Sequence, residues 1–455
     1  MKRKKISIAA ARTNVDDEVF PFFRNLPSHL TDRILLQLPI KSLLVCKSVC
    51  KTWKTLISES HFAESHFEQS QPSLMIRTGP VSRTMYLLHC DPQKFEIGSN
   101  HRVKLAPIFK IPLRSFRERD EINNESKRPL RAARLISGKK DENIDRGRQS
   151  LYIACNSDFD KFNIVNSCNG LLCLSDPSLG NPLVICNPIT GEFIRLPEST
   201  MNGTRVRRQG QGAFGFQPKT NEYKVINMRV RSVKRGNWWS ESELVILEIN
   251  TLGTPSWRNV EVDPQIYFRQ LKYPTCVNGA LHWLRYEGLQ MSILVFCFES
   301  ERLKSFPSPP HEFGNHNNGT RGNSHVSMGE LKGFLYICDW TFLSDVPMWV
   351  MKEHGIEESW TKVYKYNTSF IPLDRPVSWR SGLWPIKHFE EGAAILLYDN
   401  NCLFYYEPEK YGCKAFQIHG SRSDSFEVIP HIPSLISLKD VLKGDNIKVL
   451  NIHSR

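Results

Sequence analysis

The chain has 455 residues, 40% of them apolar, and its 60 lysines and arginines against 47 acidic residues give a formal net charge of +13. That length holds one large domain and a small one, and the apolar share suits a substantial globular core. No apolar run approaches the roughly eighteen residues of a membrane-spanning helix, and the twelve cysteines include no CxxC pair, which argues against a zinc or dithiol site.

The N-terminus, Met1-Lys2-Arg3-Lys4-Lys5, is basic without the apolar core of a signal peptide after it, so residues 1–20 read as a disordered basic tail. Together with the unpaired cysteines, this predicts a cytoplasmic and/or nuclear protein.

Helical spacing begins at Leu26. Leu30, Ile34, Leu35 and Leu38 share one helical face, and Val49, Trp53, Leu56 and Ile57 make a second stripe. Pro27 suits a first helical turn, where an N–H is spare, and Pro39 ends that helix. Helices this short cannot bury such faces against one another alone, so the rest of the chain or another protein must cover them.

Leu26-Pro27, Ile34-Leu35, Leu38-Pro39, Leu43-Leu44, Val49-Cys50-Lys51 and Trp53 together resemble an F-box. One departure is Ser28-His29, where family members often carry acidic residues. The resemblance implies docking onto a Skp-family adaptor, and through it a cullin. The docking residues would be Leu26, Pro27, Ile34, Leu35, Leu38, Pro39, Leu43, Val49 and Trp53. Residues 21–70 would form this helical domain and a linker, with Phe62 and Phe67 in the joining segment from Ser58 to Gln71.

Short strand-like runs take over after Pro72. A charged stretch from Arg114 to Gln149 lacks strand character and reads as a loop insertion. It opens an alternative in which the chain is a nucleic-acid-associated or regulatory scaffold. Aromatics are not interleaved with its cations, which argues for a solvated loop instead.

Cys168-Asn169-Gly170-Leu171-Leu172, then Asn187-Pro188-Ile189-Thr190-Gly191, then Leu196-Pro197 read as strands joined by turns. Related units occur at Val277-Asn278-Gly279 and Leu331-Lys332-Gly333, around Tyr223-Lys224-Val225 with Ser256-Trp257-Arg258, and from Ala393 to Ile418. A period of about fifty residues with several strands per unit is the signature of a kelch-like β-propeller, here of about six blades.

These motifs also resemble the F-box-associated domain of plant F-box proteins. The fold class is therefore α+β multidomain: a small N-terminal helical F-box followed by an all-β propeller over residues 71–430, with 431–455 as a C-terminal tail. The implied function is that of a substrate-recognition subunit of a Skp-cullin-F-box ubiquitin ligase. Such a subunit docks the adaptor through the F-box and a target protein, unidentified by the sequence, through the propeller.

Catalytic signatures are wanting. Gly210-Gln211-Gly212-Ala213-Phe214-Gly215 satisfies G-x-G-x-x-G, but Phe216-Gln217-Pro218 next to it leads through a turn into a strand rather than a helix. The motif therefore reads as a glycine-rich loop entering a blade. His311, His316 and His325 are irregularly spaced in a Gly/Asn-rich loop that holds one acidic residue, Glu312, and no thiol. No catalytic residue, metal site or cofactor is expected, and the chain is read as a non-catalytic subunit. Trp238-Trp239, just after Lys234-Arg235-Gly236, form an aromatic pair beside cations and, with Arg235, are candidate target-binding residues.

Overall fold

The computed structural model describes residues 26–77, 84–89, 102–103, 107–110, 162–175, 182–199, 211–232, 243–263, 271–287, 290–310, 326–339, 346–366, 383–388, 394–398, 402–407, 412–418, 427–444 and 447–452. The expected basic tail, the 114–149 insertion and Arg235, Trp238 and Trp239 lie outside them. The chain divides into two units, residues 1–69 and 70–455.

The first unit holds helices α1 (Ser28–Leu36), α2 (Ile40–Cys46), α3 (Lys51–Ile57) and α4 (Ser60–Gln69). Pro27 and Pro39 occupy the N-cap positions of α1 and α2, with ψ of 141° and 147°, so each Leu-Pro pair sets an extended residue ahead of a helix. The Pro27 carbonyl accepts from the N–H groups of Leu30 and Thr31 at 2.9 and 3.2 Å. Cys50 caps α3, its sulfur accepting the Trp53 N–H at 3.4 Å.

The segment expected to be a linker is instead helix α4. It contacts α1 and α3 and buries Phe62, Ala63 and His66. The apolar helical stripe ends at Ile57, so the sequence pattern alone puts Phe62 in a connector.

The second unit is built of six sheets of four or five strands among the described residues. Five run meander-wise: Asn163–Cys168 to Glu192–Arg195, Gln211–Gln217 to Arg258–Val260, Lys272–Val277 to Arg302–Phe306, Val326–Leu331 to Trp360–Tyr366, and Leu383–His388 to Gly412–Ile418. The sixth joins both ends of the unit, Ser73–Arg77 pairing antiparallel with Glu427–His431. First strands of successive sheets contact one another in turn, and Glu427–His431 contacts both Asn163–Cys168 and Leu383–His388, closing the cycle. Arg77, buried at this junction, donates to the Glu427 carboxylate at 2.6 Å and to the Phe162 carbonyl at 2.6 Å.

The sheet that holds Leu171–Ser175 is covered on both faces, which explains why that run is buried at every residue rather than alternately. On the strand Glu222–Ser232, Tyr223 and Val225 pack towards Cys168, Leu171 and Ile185, while Ile226 and Met228 pack towards Leu281, Trp283 and Phe296.

The repeated motifs have distinct physical duties. Asn169-Gly170, Asn278-Gly279 and Lys332-Gly333 are two-residue hairpin turns with both φ angles between 45° and 83°, the left-handed pair that matches strand twist. Trp257 donates its indole N–H to the Pro197 carbonyl at 2.8 Å, and Trp360 likewise to Pro307 at 3.3 Å. Leu196-Pro197 with Ser256-Trp257, and Phe306-Pro307 with Ser359-Trp360, are thus two copies of one staple between neighbouring sheets. Lys224 of Tyr-Lys-Val, buried, reaches Glu301 at 3.1 Å, and Arg258 pairs with the same carboxylate. Burial opposes ionisation of Glu301, but hydrogen bonds from Arg258 and Lys224 outweigh it and hold the carboxyl below its usual range.

Two expectations are corrected here. The second and third glycines of G-x-G-x-x-G are not in a loop: Gly212 and Gly215 sit inside the strand Gln211–Gln217, while Gly210 lies outside the described residues. A Cβ at Gly212 would lie 2.6 Å from Pro182 Cγ, and one at Gly215 2.6 Å from Phe298 Cε2, so close approach of neighbouring sheets demands glycine. Nor is the segment after His431 a tail. Ser434, Leu435 and Leu438 are buried, the short helix α5 (Leu438–Val441) packs on Glu192–Arg195, and Leu450–Asn451 adds a fifth strand to that sheet.

Candidate functional site

In the helical unit, the nine expected docking residues separate by exposure. Leu35 and Leu43 are buried, with Ile40, Ile57, Phe62 and Ala63. Leu26, Leu38 and Trp53 are half-buried, and Pro27, Ile34, Pro39 and Val49 are exposed. Leu35 and Leu43 therefore hold the unit's own core.

Leu30 and Ile34 lie one turn apart on α1 at 39% and 46% exposure, and Val45 and Val49 lie at 67% and 50%. Seven large apolar side chains are exposed among the described residues, and these four belong to the small helical unit. Solitary exposed leucines are ordinary, but four large exposed apolar side chains are a concentration for so small a unit. Val45 escaped sequence reasoning. Its signal was an apolar β-branched residue lying off the stripe made by Ile40, Leu43 and Leu44.

The support behind this surface is polar at one point. His66 is buried in α4, stacks near Phe62 at 6.4 Å, and its Nε2–H donates to the Leu38 carbonyl at 3.1 Å. That carbonyl sits just beyond the end of α1, where the helix leaves its acceptors unpaired. Burial lowers the His66 pKa, partly offset by this bond, so the ring is held neutral.

The propeller unit holds two further buried histidines. His282 Nδ1–H donates to the Thr275 carbonyl at 3.3 Å, so in the neutral ring Nε2 accepts from His354 Nε2–H at 2.9 Å. Burial and then neighbouring His354 lower the His282 pKa to about 3, and burial lowers that of His431 to about 3. Protonation therefore favours the unfolded chain. Stability from these rings is complete above about pH 6.5 and falls as the pH drops towards 3. By pH 5 we expect a loss of about 2 kcal/mol for each ring, read as a falling urea midpoint; a midpoint flat from pH 7 to 5 would contradict the assignment.

Trp257, Trp283, Trp349 and Trp360 are all buried, as core residues should be. Trp283 faces the Ala213, Leu281 and Leu294 cluster, and His282, next to it on the strand, faces Phe306 and His354 on the other side. Among the described residues, no group of three or more His, Cys, Asp or Glu could hold a metal ion. No helix among them is long and apolar enough to cross a membrane.

Comparison with known proteins agrees with these two units. The profile described as F-box domain matches residues 23–64, and that described as F-box associated beta propeller domain matches residues 135–442, more than half of the chain. The chain is 26% identical to the Arabidopsis thaliana F-box protein At3g07870 over 87% of this chain and 88% of that one. It is 25% identical to the F-box/LRR-repeat protein At2g43260 over 93% and 85%, and 23% identical to the F-box/kelch-repeat protein At3g23880 over 84% and 90%, both from Arabidopsis thaliana. An F-box ahead of an F-box associated β-propeller places this chain in the family of F-box proteins that carry that domain.

Proposed function

We propose that the chain is the non-catalytic substrate receptor of a Skp-cullin-F-box ubiquitin ligase, acting in the cytoplasm or nucleus. The observation carrying this reading is the exposed apolar set Leu30, Ile34, Val45 and Val49 in a helical unit whose core is already filled. A Skp-family adaptor is the partner that would bury it and bring a cullin. Each of the six sheets then counts as one blade of a kelch-like ring, a reading supported by the cyclic contacts of their first strands.

The target would bind at one end of that ring. In an antiparallel meander, the turns between first and second strands and between third and fourth strands share one end. Here the first-to-second turns are tight at Cys168/Leu171, Val277/Ala280 and Leu331/Phe334. The opposite end carries the connections between sheets, which span Arg195 to Gln211, Phe306 to Val326 and Tyr366 to Leu383. The connection from Ser232 to Glu243, with Arg235, Trp238 and Trp239, leaves from that same end. Long connections on a rigid scaffold are where specificity is built.

A receptor of this kind raises the local concentration of target lysines near a charged conjugating enzyme and forms no bond itself. The test is affinity capture under proteasome inhibition with the full chain, with Ile34→Glu, and with Trp238→Ala/Trp239→Ala. Ile34→Glu should lose adaptor and cullin while retaining targets, and the tryptophan variant should show the reverse. Loss of targets and adaptor together in either folded variant would overturn this division of labour.

A further inference from the structure

Two arginines are buried among the described residues, and they are used in opposite ways. Arg77 donates from Nε to the Glu427 carboxylate and from Nη1 to the Phe162 carbonyl, both at 2.6 Å. Arg229 is 5% exposed, and among the described residues its Nε and Nη2 meet no acceptor. Those two nitrogens make one edge of the guanidinium, and their parallel N–H bonds match the two oxygens of a carboxylate or phosphate. The strand Glu222–Ser232 places this edge. Tyr223 and Val225 face the sheet that begins at Asn163–Cys168, joining the cluster of Cys168 and Leu171. Asn227 faces the same way, its Nδ2 lying 3.4 Å from Ser199 Oγ in the connection that leaves that sheet. The strand pairs with Glu243–Thr251 without a bulge, so Arg229 shares this face, two residues beyond Asn227. It lies one pair past the contact with Gln211–Gln217, on the way to the long connections.

Asn227 is the second open group. It is fully buried, and its Nδ2 donates to Glu248 Oε2 at 3.1 Å, an oxygen that also accepts from Ser199 Oγ at 2.6 Å. Its Oδ1 meets no donor among the described residues. One face of one strand therefore offers a two-pronged donor and, two residues away, an acceptor. A ligand that satisfies both is an anion with an N–H or O–H group beside it. Glu248, fully buried and paired with Asn227 across the strands, selects the charge of that anion. Phosphate would bring up to two negative charges next to this carboxylate, and a carboxylate brings one.

We propose that Arg229 and Asn227 receive the free C-terminus of a peptide chain, supplied by the target. The carboxylate oxygens accept from Nε–H and Nη2–H of Arg229, and the amide N–H of the terminal residue donates to Asn227 Oδ1. This assignment rests on the reading of the long-connection end as the end that holds the target.

The test is a magnetic-resonance titration of the full chain, isotope-labelled at its arginines, with N-acetylglycine, a minimal peptide C-terminus. The Nε–H resonance of Arg229 is the one missing from Arg229→Lys, or from Arg229→Gln should the lysine variant not fold. It should shift saturably, in the millimolar range that so small a probe allows. N-acetylglycinamide, without the carboxylate, should leave it in place. Acetate and inorganic phosphate, without the N–H, should bind at least about 10-fold more weakly. Arg229→Lys keeps the positive charge and loses the fork, so the folded variant should capture at least about 10-fold less target under proteasome inhibition and keep the adaptor. A resonance that N-acetylglycine does not move, or that the amide moves equally, would overturn the site. Undiminished target capture by folded Arg229→Lys would overturn its use by the target. Failure of the wild-type chain to capture an adaptor would strike the ligase reading alone, because the titration does not depend on it.

Discussion

Replacing Ile34 with glutamate is expected to weaken capture of a Skp-family adaptor by at least about 100-fold, with the helical unit still folded. The Ile34 side chain is 46% exposed, so a charge there remains solvated in the free protein and costs the fold little. In a complex the same position would be covered. Losing the isoleucine removes roughly 2 kcal/mol of apolar burial, and burying an unpaired carboxylate adds more. Leu35→Ala separates surface from scaffold. Leu35 is 1% exposed, so its truncation should destabilise the unit itself by about 2–5 kcal/mol and lower adaptor binding only through unfolding. Circular dichroism of the isolated variants beside equilibrium binding of a purified adaptor distinguishes the two. Wild-type affinity in a folded Ile34→Glu protein would mean that the adaptor does not use this surface.

The contrast between Ile34 and Leu35 also shows what the sequence made legible. Adjacent residues in one motif read as one docking face, although the helix turns them about 100° apart, one outward and one inward. Local chemistry was readable: Asn-Gly pairs need a left-handed backbone, and Asn169-Gly170 and Asn278-Gly279 supply it. Partners distant in sequence were not. Nothing near Trp257 indicates that its indole meets Pro197, sixty residues earlier, or that Lys224 and Arg258 converge on Glu301. The glycines of Gln211–Gln217 mislead for the same reason. Glycine is a loop signal by local propensity, and only the side chains of Pro182 and Phe298 from adjacent sheets make it a strand requirement. The segment after His431 carries none of the repeated strand motifs and so reads as a tail, yet polar side chains elsewhere in the chain hold it down.

Asn187 is the chief of those side chains, and Asn187→Ala should destabilise the propeller unit by about 3 kcal/mol or more. Its amide is fully buried. The Nδ2 group donates to the carbonyls of Ser434 at 3.0 Å and Ile436 at 2.8 Å. Its Oδ1 accepts the N–H groups of Ile189 at 2.8 Å and Thr190 at 3.3 Å, shaping the Asn-Pro-x-Thr-Gly turn. Alanine would leave two carbonyls and two N–H groups without this partner in a site that water does not reach. Aspartate should be no better, because it keeps the acceptor, loses both donors and sets a carboxylate against two carbonyl oxygens. Glu192 fastens the same segment one step further on, accepting from Ser437 Oγ at 3.0 Å and the Leu438 N–H at 2.8 Å. In Asn187→Ala this second clasp remains, so the first effect should be local. Amide exchange at Leu450 and Asn451, whose strand pairs with Glu192 and Phe193, should rise before the urea midpoint of the whole unit shifts. An unchanged midpoint together with wild-type exchange at Leu450 and Asn451 would show that the C-terminal strand is held by other contacts.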